Sequence, residues 1–334
     1  MKKTIRYPAW KFVVIYFKIR AWWPVWFYVL NRHGRRLFCM NAPQLNSVQQ
    51  RILHDLNENG IAVAHIDELF PATDMLEKFK DYAHKSIEEK KKLGSSKPDK
   101  ASKPFLTYLF DPVPAVDMTN PFFHLAFEKT VLDIITSYFQ MYVNFFYMTL
   151  NITLPIGGDR RAIGSQRWHR DPEDRKMCKM FLYLTDVDEE SGPFMYVEKS
   201  KYGRKWGKYF PQRPPIGYYP DQKELEELIP KEDIKICTGK AGTLLFCDTS
   251  GLHKGGYALT RPRMMLTLGF RLRASVTPHR IRVGEEAAKE WARSARSPAV
   301  AYALEQYALS NRTRNLFGLF RRWNKIYRPE KFED

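Results

Sequence analysis

The chain has little cysteine and, over long stretches, no acid. Four cysteines, Cys39, Cys178, Cys237 and Cys247, are scattered through 334 residues with no CxxC pair. That usage excludes a zinc ribbon and a disulfide framework, and it points to a reducing compartment. A membrane span needs about twenty apolar residues without a central charge. The nearest candidate, close to the start, is interrupted by Lys18 and Arg20 and followed by Pro24, and each central cation costs roughly 2.5–3.5 kcal/mol on insertion. Neither a spanning helix nor a secretory leader is expected, the latter because no small-residue cleavage site follows. Lys331-Phe332-Glu333-Asp334 is not a Ser-Lys-Leu signal, so a peroxisomal address is not expected either. No internal repeat is present.

The missing acids matter more. No Asp or Glu occurs before Asp55, while ten Lys and Arg do; Asn311 to Arg328 adds six more cations and again no acid. These two stretches account for sixteen of the net seventeen positive charges, and the middle of the chain is close to neutral. Both basic ends are rich in rings: Phe12, Tyr16, Phe17, Trp22, Trp23, Trp26, Phe27 and Tyr28 in the first, Phe317, Phe320, Trp323 and Tyr327 in the second. Interleaved cations and aromatics suit the interface of an anionic membrane, through residues 1–36 and 312–328. The alternatives are that the rings pack against the domain, or that the charge meets nucleic acid. Confinement of the charge to the ends, with no motif of a nucleic-acid reader, argues against the last. The expected location is cytoplasmic, peripheral on the inner face of a membrane.

A 44% hydrophobic and 27% charged composition is that of an ordinary globular protein, long enough for one substantial core with helical additions. Asn46 to Asn59 predicts a capped helix stopped by Gly60, Ile61 to Ile66 a strand, and Thr73 to about Lys90 an amphipathic helix. Lys91 to Lys103 predicts a solvated loop, and Pro121 to Met141 one buried helix. The period then falls towards two. Val143–Leu154, Met177–Val187, Phe194–Val197, Lys235–Ile236, Thr243–Asp248 and Met264–Arg273 predict strands, separated by turns such as Gly157-Gly158 and Ser191-Gly192-Pro193. Glu285–Arg296 and Ala299–Leu309 return to helix, the latter opened by Pro298. The expected class is α+β: a double-stranded β-helix, a cupin-like jelly roll, with flanking helices on one side. The divisions expected are a basic aromatic segment over 1–45, the jelly roll over 46–283 and C-terminal helices with a basic tail over 284–334.

Trp168-His169-Arg170-Asp171 and the distant Gly251-Leu252-His253-Lys254-Gly255-Gly256 carry the chemistry. Residues two apart in an extended segment point to the same side, so His169 and Asp171 can chelate one ion, with His253 arriving from across the roll. Two imidazoles and a carboxylate on one face of a metal leave the other positions open, as in non-haem Fe(II) oxygenases. Asp174 has the wrong spacing for a ligand and is expected to be a surface acid. With Phe181 to Pro193 following the first motif, and Arg261 and Arg263 following the second, the order of features is hard to obtain by accident.

From roughly Gly60 to Phe270 the chain resembles the phytanoyl-CoA dioxygenase-like family of Fe(II)/2-oxoglutarate oxygenases, most closely from Trp168 onward. Gly60-Ile61-Ala62-Val63 leading to Leu69-Phe70 also looks like the family's opening. Members usually carry Pro-Gly-Ser-His after the central strand, where this chain has Val197-Glu198-Lys199-Ser200-Lys201; that segment shapes a turn and leaves the triad intact. The resemblance implies Fe(II) held by His169, Asp171 and His253, with 2-oxoglutarate and O₂ as co-substrates. It implies Arg263 as anchor of the distal carboxylate of 2-oxoglutarate, Arg261 being a substitute. A guanidinium suits that task because its planar fork meets a carboxylate with two charge-assisted bonds. Asn151 and Thr149 could hydrogen-bond 2-oxoglutarate or be structural. Asp171 points to hydroxylation, since halogenating relatives lack the carboxylate.

The long insertion Tyr202 to Asp233 interleaves cations with rings, and Arg204, Trp206, Tyr209 and Arg213 are its substrate candidates. The alternative is a solvated loop whose rings cover the core. With the basic ends, it suggests an anionic lipid or lipid-linked glycan as substrate. A soluble small metabolite or acyl-CoA is the other enzymatic reading, and a non-catalytic jelly-roll binding protein the reading from another class.

Overall fold

A computed structural model describes residues 7–92, 105–155, 162–212, 217–295, 297–305 and 315–316. The turn at Gly157-Gly158, most of the Lys91–Lys103 loop, Arg213 and nearly all of 312–328 lie outside the described residues.

Strand periodicity organises the molecule. Strands β1 (Ile61–His65), β2 (Leu106–Tyr108), β3 (Asn144–Thr153), β4 (Cys178–Tyr183), β7 (Thr243–Cys247) and β9 (Arg263–Arg271) form an antiparallel sheet in the order β1-β7-β4-β9-β3-β2. A smaller sheet runs β6-β5-β8, from β5 (Phe194–Val197), β6 (Ile234–Cys237) and β8 (His253–Gly255). Successive side chains point to opposite faces, so each long strand feeds two cores. Met148, Leu150, Met180, Leu182, Leu244, Phe246, Leu266, Leu268 and Phe270 pack outward under the helices, whereas Phe181, Tyr183, Leu245 and Cys247 turn inward to Phe194 and Tyr196 of the small sheet. This is the jelly roll the alternation predicts, with helices on the outer face of the large sheet.

Helix α3 (Ser47–Glu58) is capped by Asn46, whose side chain accepts from Gln49 N while Gln49 Oε1 accepts from Asn46 N, two orphan donors satisfied at once. The Pro121–Met141 region is two helices, not one: α6 (Pro121–Phe127) and α7 (Lys129–Phe139) are separated by Glu128, whose ψ of 133° is extended. An unbroken apolar pattern hides such a break, because both halves bury their side chains in one cluster. Helices α4 (Ile66–Leu69) and α5 (Met75–Lys92) follow β1.

The first and last described helices flank the same core. Helices α1 (Tyr7–Ala21) and α2 (Arg32–Met40) flank a π-helical turn, Val25–Leu30, whose Trp26 and Phe27 enter the main cluster. Helices α9 (Glu285–Ala295) and α10 (Pro298–Leu304) contribute Trp291, Val300, Ala303 and Leu304 to it, and Asn144 on β3 donates to Tyr302 O at 2.7 Å.

The 202–233 insertion is not a bare loop. It carries α8 (Gln222–Leu228) and buries Trp206, Phe210, Leu225 and Ile229 with Trp168, Val197 and Leu252 in a third core behind the small sheet. Arg170 holds it in place. Its guanidinium is 2% exposed and donates to five carbonyls, those of Ser200, Trp206, Tyr209, Phe210 and Ser250. Burial draws its pKa down to about 10, so it stays charged at neutral pH. Arg170→Met should lower unfolding stability by at least about 3 kcal/mol, because the carbonyls are left buried without donors. Denaturant melts measure the loss, and limited proteolysis should cut first within 202–212.

Candidate functional site

The segment before Asp171 is the continuation of the small sheet. His169 N donates to His253 O at 2.9 Å and His253 N returns the bond to His169 O at 3.0 Å, while Arg170 pairs with Tyr218 and Asp171 N donates to Thr249 O at 2.9 Å. Alternation along this extended stretch sends His169 and Asp171 into the roll and Arg170 out of it. Gly251 permits the approach of the second histidine: a Cβ there would lie 2.0 Å from Tyr196 Oη.

The two imidazoles face each other with ring centroids 4.2 Å apart. Each ring's Nδ1 bonds a main-chain carbonyl two residues back, Arg167 O at 2.8 Å for His169 and Gly251 O at 3.0 Å for His253. Those bonds assign the proton to Nδ1, so the lone pair of each ring lies on Nε2. Both point at Asp171, His169 Nε2 lying 3.7 Å from Oδ1 and His253 Nε2 3.6 Å from Oδ2. All three donor atoms fall within 4.8 Å of one another and all three residues are buried. Burial lowers the pKa of His253 against the pull of Asp171, which keeps the ring in the neutral, metal-binding form. For Asp171 burial works to raise the pKa, but Lys179, His253 and His169 outweigh it and hold the carboxylate well below its usual range. A donor set of this composition fits Fe(II).

These residues line a cavity of about 540 Å³ between the sheets. Arg263, the first residue of β9, lines it too and is 3% exposed; its guanidinium donates to Gly192 O and to Thr153 Oγ1, the latter at 3.3 Å, while Nε has no partner. Arg261 lies on the surface, ion-paired to Asp188 at 2.5 Å. Asn151 reaches the cavity, with its amide on Thr149 Oγ1 at 3.1 Å and its carbonyl oxygen without a partner. Thr149 does not line the cavity; it stands behind Asn151 on the same face of β3, opposite Thr267.

Three of the four substrate candidates are placed elsewhere, and Arg213 lies outside the described residues. Arg204 bonds Asn57 O and Glu58, Trp206 is buried in the third core with its indole N–H on Asp233, and Tyr209 packs on Trp206 while its carbonyl accepts from Arg170. Rings in a long insertion had first to cover the insertion's own core, and Arg170 holds them against it. From this insertion Gly217 and Tyr219 line the cavity instead, Tyr219 stacking on His169 at 5.2 Å and 12°.

Sequence reasoning also missed Lys179, Glu173 and Arg280. Lys179 extends from β4 and meets Asp171 Oδ2 at 2.5 Å. Burial opposes its charge, but Asp171 and Glu173 overcompensate and raise its pKa. Glu173 is buried beside it with Oε2 unpartnered, its pKa raised chiefly by burial. The inward phase that Lys179 shares with Phe181 and Tyr183 was the signal that could have found it. Asp174 is no surface acid: it is 4% exposed and accepts from Trp26 Nε1 at 2.8 Å.

No family model matches the chain, and no curated protein does. Solved structures do. The epimerase SnoN in complex with Fe3+, alpha ketoglutarate and nogalamycin RO aligns over 70% of this chain and 87% of its own, at 13% identity and a TM-score of 0.51. EctD from S. alaskensis with 2-oxoglutarate and 5-hydroxyectoine aligns over 73% and 91% at 16% identity and TM-score 0.49. AviO1 from Streptomyces viridochromogenes Tue57 aligns over 70% and 100% at 15% identity and TM-score 0.48. The fold is therefore that of SnoN, a double-stranded β-helix, and in this chain it carries a two-histidine, one-carboxylate cluster at the centre of its cavity.

Burial pushes the Asp174 carboxyl up to about 7 despite the donors on Oδ1. Its folded pKa exceeds the unfolded value, so the folded state holds the extra proton and wild-type stability falls as pH rises from about 4 to about 7. Asp174→Asn should remove that slope and gain on wild type across this window, by an amount on the order of 4 kcal/mol at its upper end. Chemical denaturation at several pH values checks it.

Proposed function

We propose that the protein is an Fe(II)- and 2-oxoglutarate-dependent dioxygenase that hydroxylates a C–H bond. The observation that carries this is the convergence of His169, Asp171 and His253 in one cavity with a buried Arg263 whose Nε is unpartnered. When bound, the metal, 2-oxoglutarate and O₂ supply the oxidising power, giving hydroxylated product, succinate and CO₂. The chain's own groups bind and orient. His169 and His253 offer Nε2, and Asp171 completes a facial set. Lys179 engages one carboxylate oxygen of Asp171, which steers the other towards the metal position. Arg263 with Thr153 forms a seat for a distal carboxylate, and Asn151 supplies a further polar contact. The two sheets exclude water around these groups, where fixed dipoles act more strongly.

For the substrate we favour an anionic lipid or lipid-linked glycan. Arg280 on the cavity wall provides a cation, Tyr147 and Tyr219 provide ring faces, and the basic aromatic N-terminal segment suits presentation from an anionic membrane. A soluble small metabolite is the second reading, since about 540 Å³ would enclose a compact molecule whole.

Anaerobic titration with Fe(II) and 2-oxoglutarate should produce a visible charge-transfer band. Absence of the band from well-folded protein would leave a non-catalytic binding domain. His253→Ala and Asp171→Ala should abolish the band. Arg263→Ala should weaken 2-oxoglutarate binding by at least about 30-fold while Fe(II) still binds, as isothermal titration would show.

A further inference from the structure

Away from the cavity, the feature the proposed reaction leaves unused is the outer face of α1. The helix buries Val13 and Phe17, which cluster with Val276. On the opposite side, at the spacing of one helical face, it presents Phe12, Ile15 and Ile19 at 73%, 50% and 52% exposure, and Trp22, directly after its end, is 61% exposed. Tyr28 and Val29 in the next turn are exposed as well. Lys18 borders the stripe, Arg32 and Arg36 follow on α2 with exposed side chains, and no acid precedes Asp55. Among the described residues no helix is long and apolar enough to cross a membrane. A stripe this apolar, with Lys18 beside it and no acid in the first 54 residues, matches an anionic bilayer surface, which offers an apolar layer and negative charge together.

The inner side of the same strap is fastened to the wall of the cavity. Trp26 Nε1 donates to Asp174 at 2.8 Å, Arg175 to Ala21 O at 2.6 Å, Arg20 to Ala274 O at 2.8 Å, and Ala274 N to Asn31 Oδ1 at 2.9 Å. Asp174 and Ala274 adjoin Glu173 and Thr277, which line the cavity.

We infer that the outer face of α1, continued by Tyr28 and Val29, is the surface on which the protein seats itself on an anionic membrane, lying flat in the headgroup layer. Seated so, the Glu173–Thr277 wall stands about one helix diameter, roughly 10–12 Å, from the lipid. The inference deepens the proposed function and rests on it only for what the cavity then acts upon.

The test is flotation of full-length protein with phosphatidylcholine vesicles, with and without about one-third phosphatidylglycerol. Wild type should float only with the anionic vesicles, less so in high salt. The combined variant Phe12→Ser, Ile15→Ser, Ile19→Ser, Trp22→Ser should lose at least about tenfold in partitioning. A second variant, Lys18→Glu, Arg32→Glu, Arg36→Glu, should lose as much without touching the stripe. Failure of wild type to float, or unchanged flotation of both variants, overturns the inference. So does a wild-type dimer that the stripe variant converts to monomer in light scattering, because a second copy would then be the occupant. The Fe(II)/2-oxoglutarate band should be equal in wild type and both variants; its absence from all three would sink the oxygenase reading and leave the flotation result standing.

Discussion

The antiparallel pairing of His169 with His253 is the contact from which the site follows. Two main-chain hydrogen bonds join residues 84 positions apart and bring the imidazoles within 4.2 Å, tilted 48° to each other, in a sheet that must exist for other reasons. Period-two alternation then does three things at once. It aims His169 and Asp171 at the same point, it sends Arg170 to the opposite side, and it leaves the two Nδ1 atoms beside carbonyls that fix their protons. A one-residue slip in this register would exchange the ligands with Arg170 and destroy both the site and the third core.

Arg170 is the reverse of that coin. A buried guanidinium is costly unless its donors are satisfied, and here they meet four carbonyls of the 200–210 turn and that of Ser250. The residue between His169 and Asp171 therefore ties the largest insertion to the extended segment that carries them. On the cavity side the same economy of charge appears in Lys179, which neutralises Asp171 and lies close to Glu173. The interior thus holds several ionic groups whose costs offset one another.

Much of this architecture is legible in the chain because it is written in local periods. The β-branched and aromatic runs specify β3, β4 and β9 to within one or two residues at most ends, and Asn46 with Gln49 specifies the start of α3. The pairing of His169 with Asp171 is legible because chelation in an extended segment demands a spacing of two. What escaped was set by distant partners. Asp174 reads as a surface acid until Trp26, 148 positions away, covers it. Trp206 and Tyr209 read as a binding loop because a ring-rich insertion looks the same whether it meets a substrate or its own core. The break at Glu128 is invisible for a related reason: both flanking helices are apolar enough to satisfy one continuous pattern.

The Trp26–Asp174 bond has a practical corollary for anyone trimming this chain. Deleting the first forty-five residues would strip the indole from a sequestered acid three positions beyond Asp171, and would uncover Val276 and the Ala274 main chain as well. A shortened form would thus be injured near Asp171, and impaired turnover in it would say nothing about lipid. Any separation of anchoring from chemistry has to be made by exchanging side chains on the outward face of an intact polypeptide.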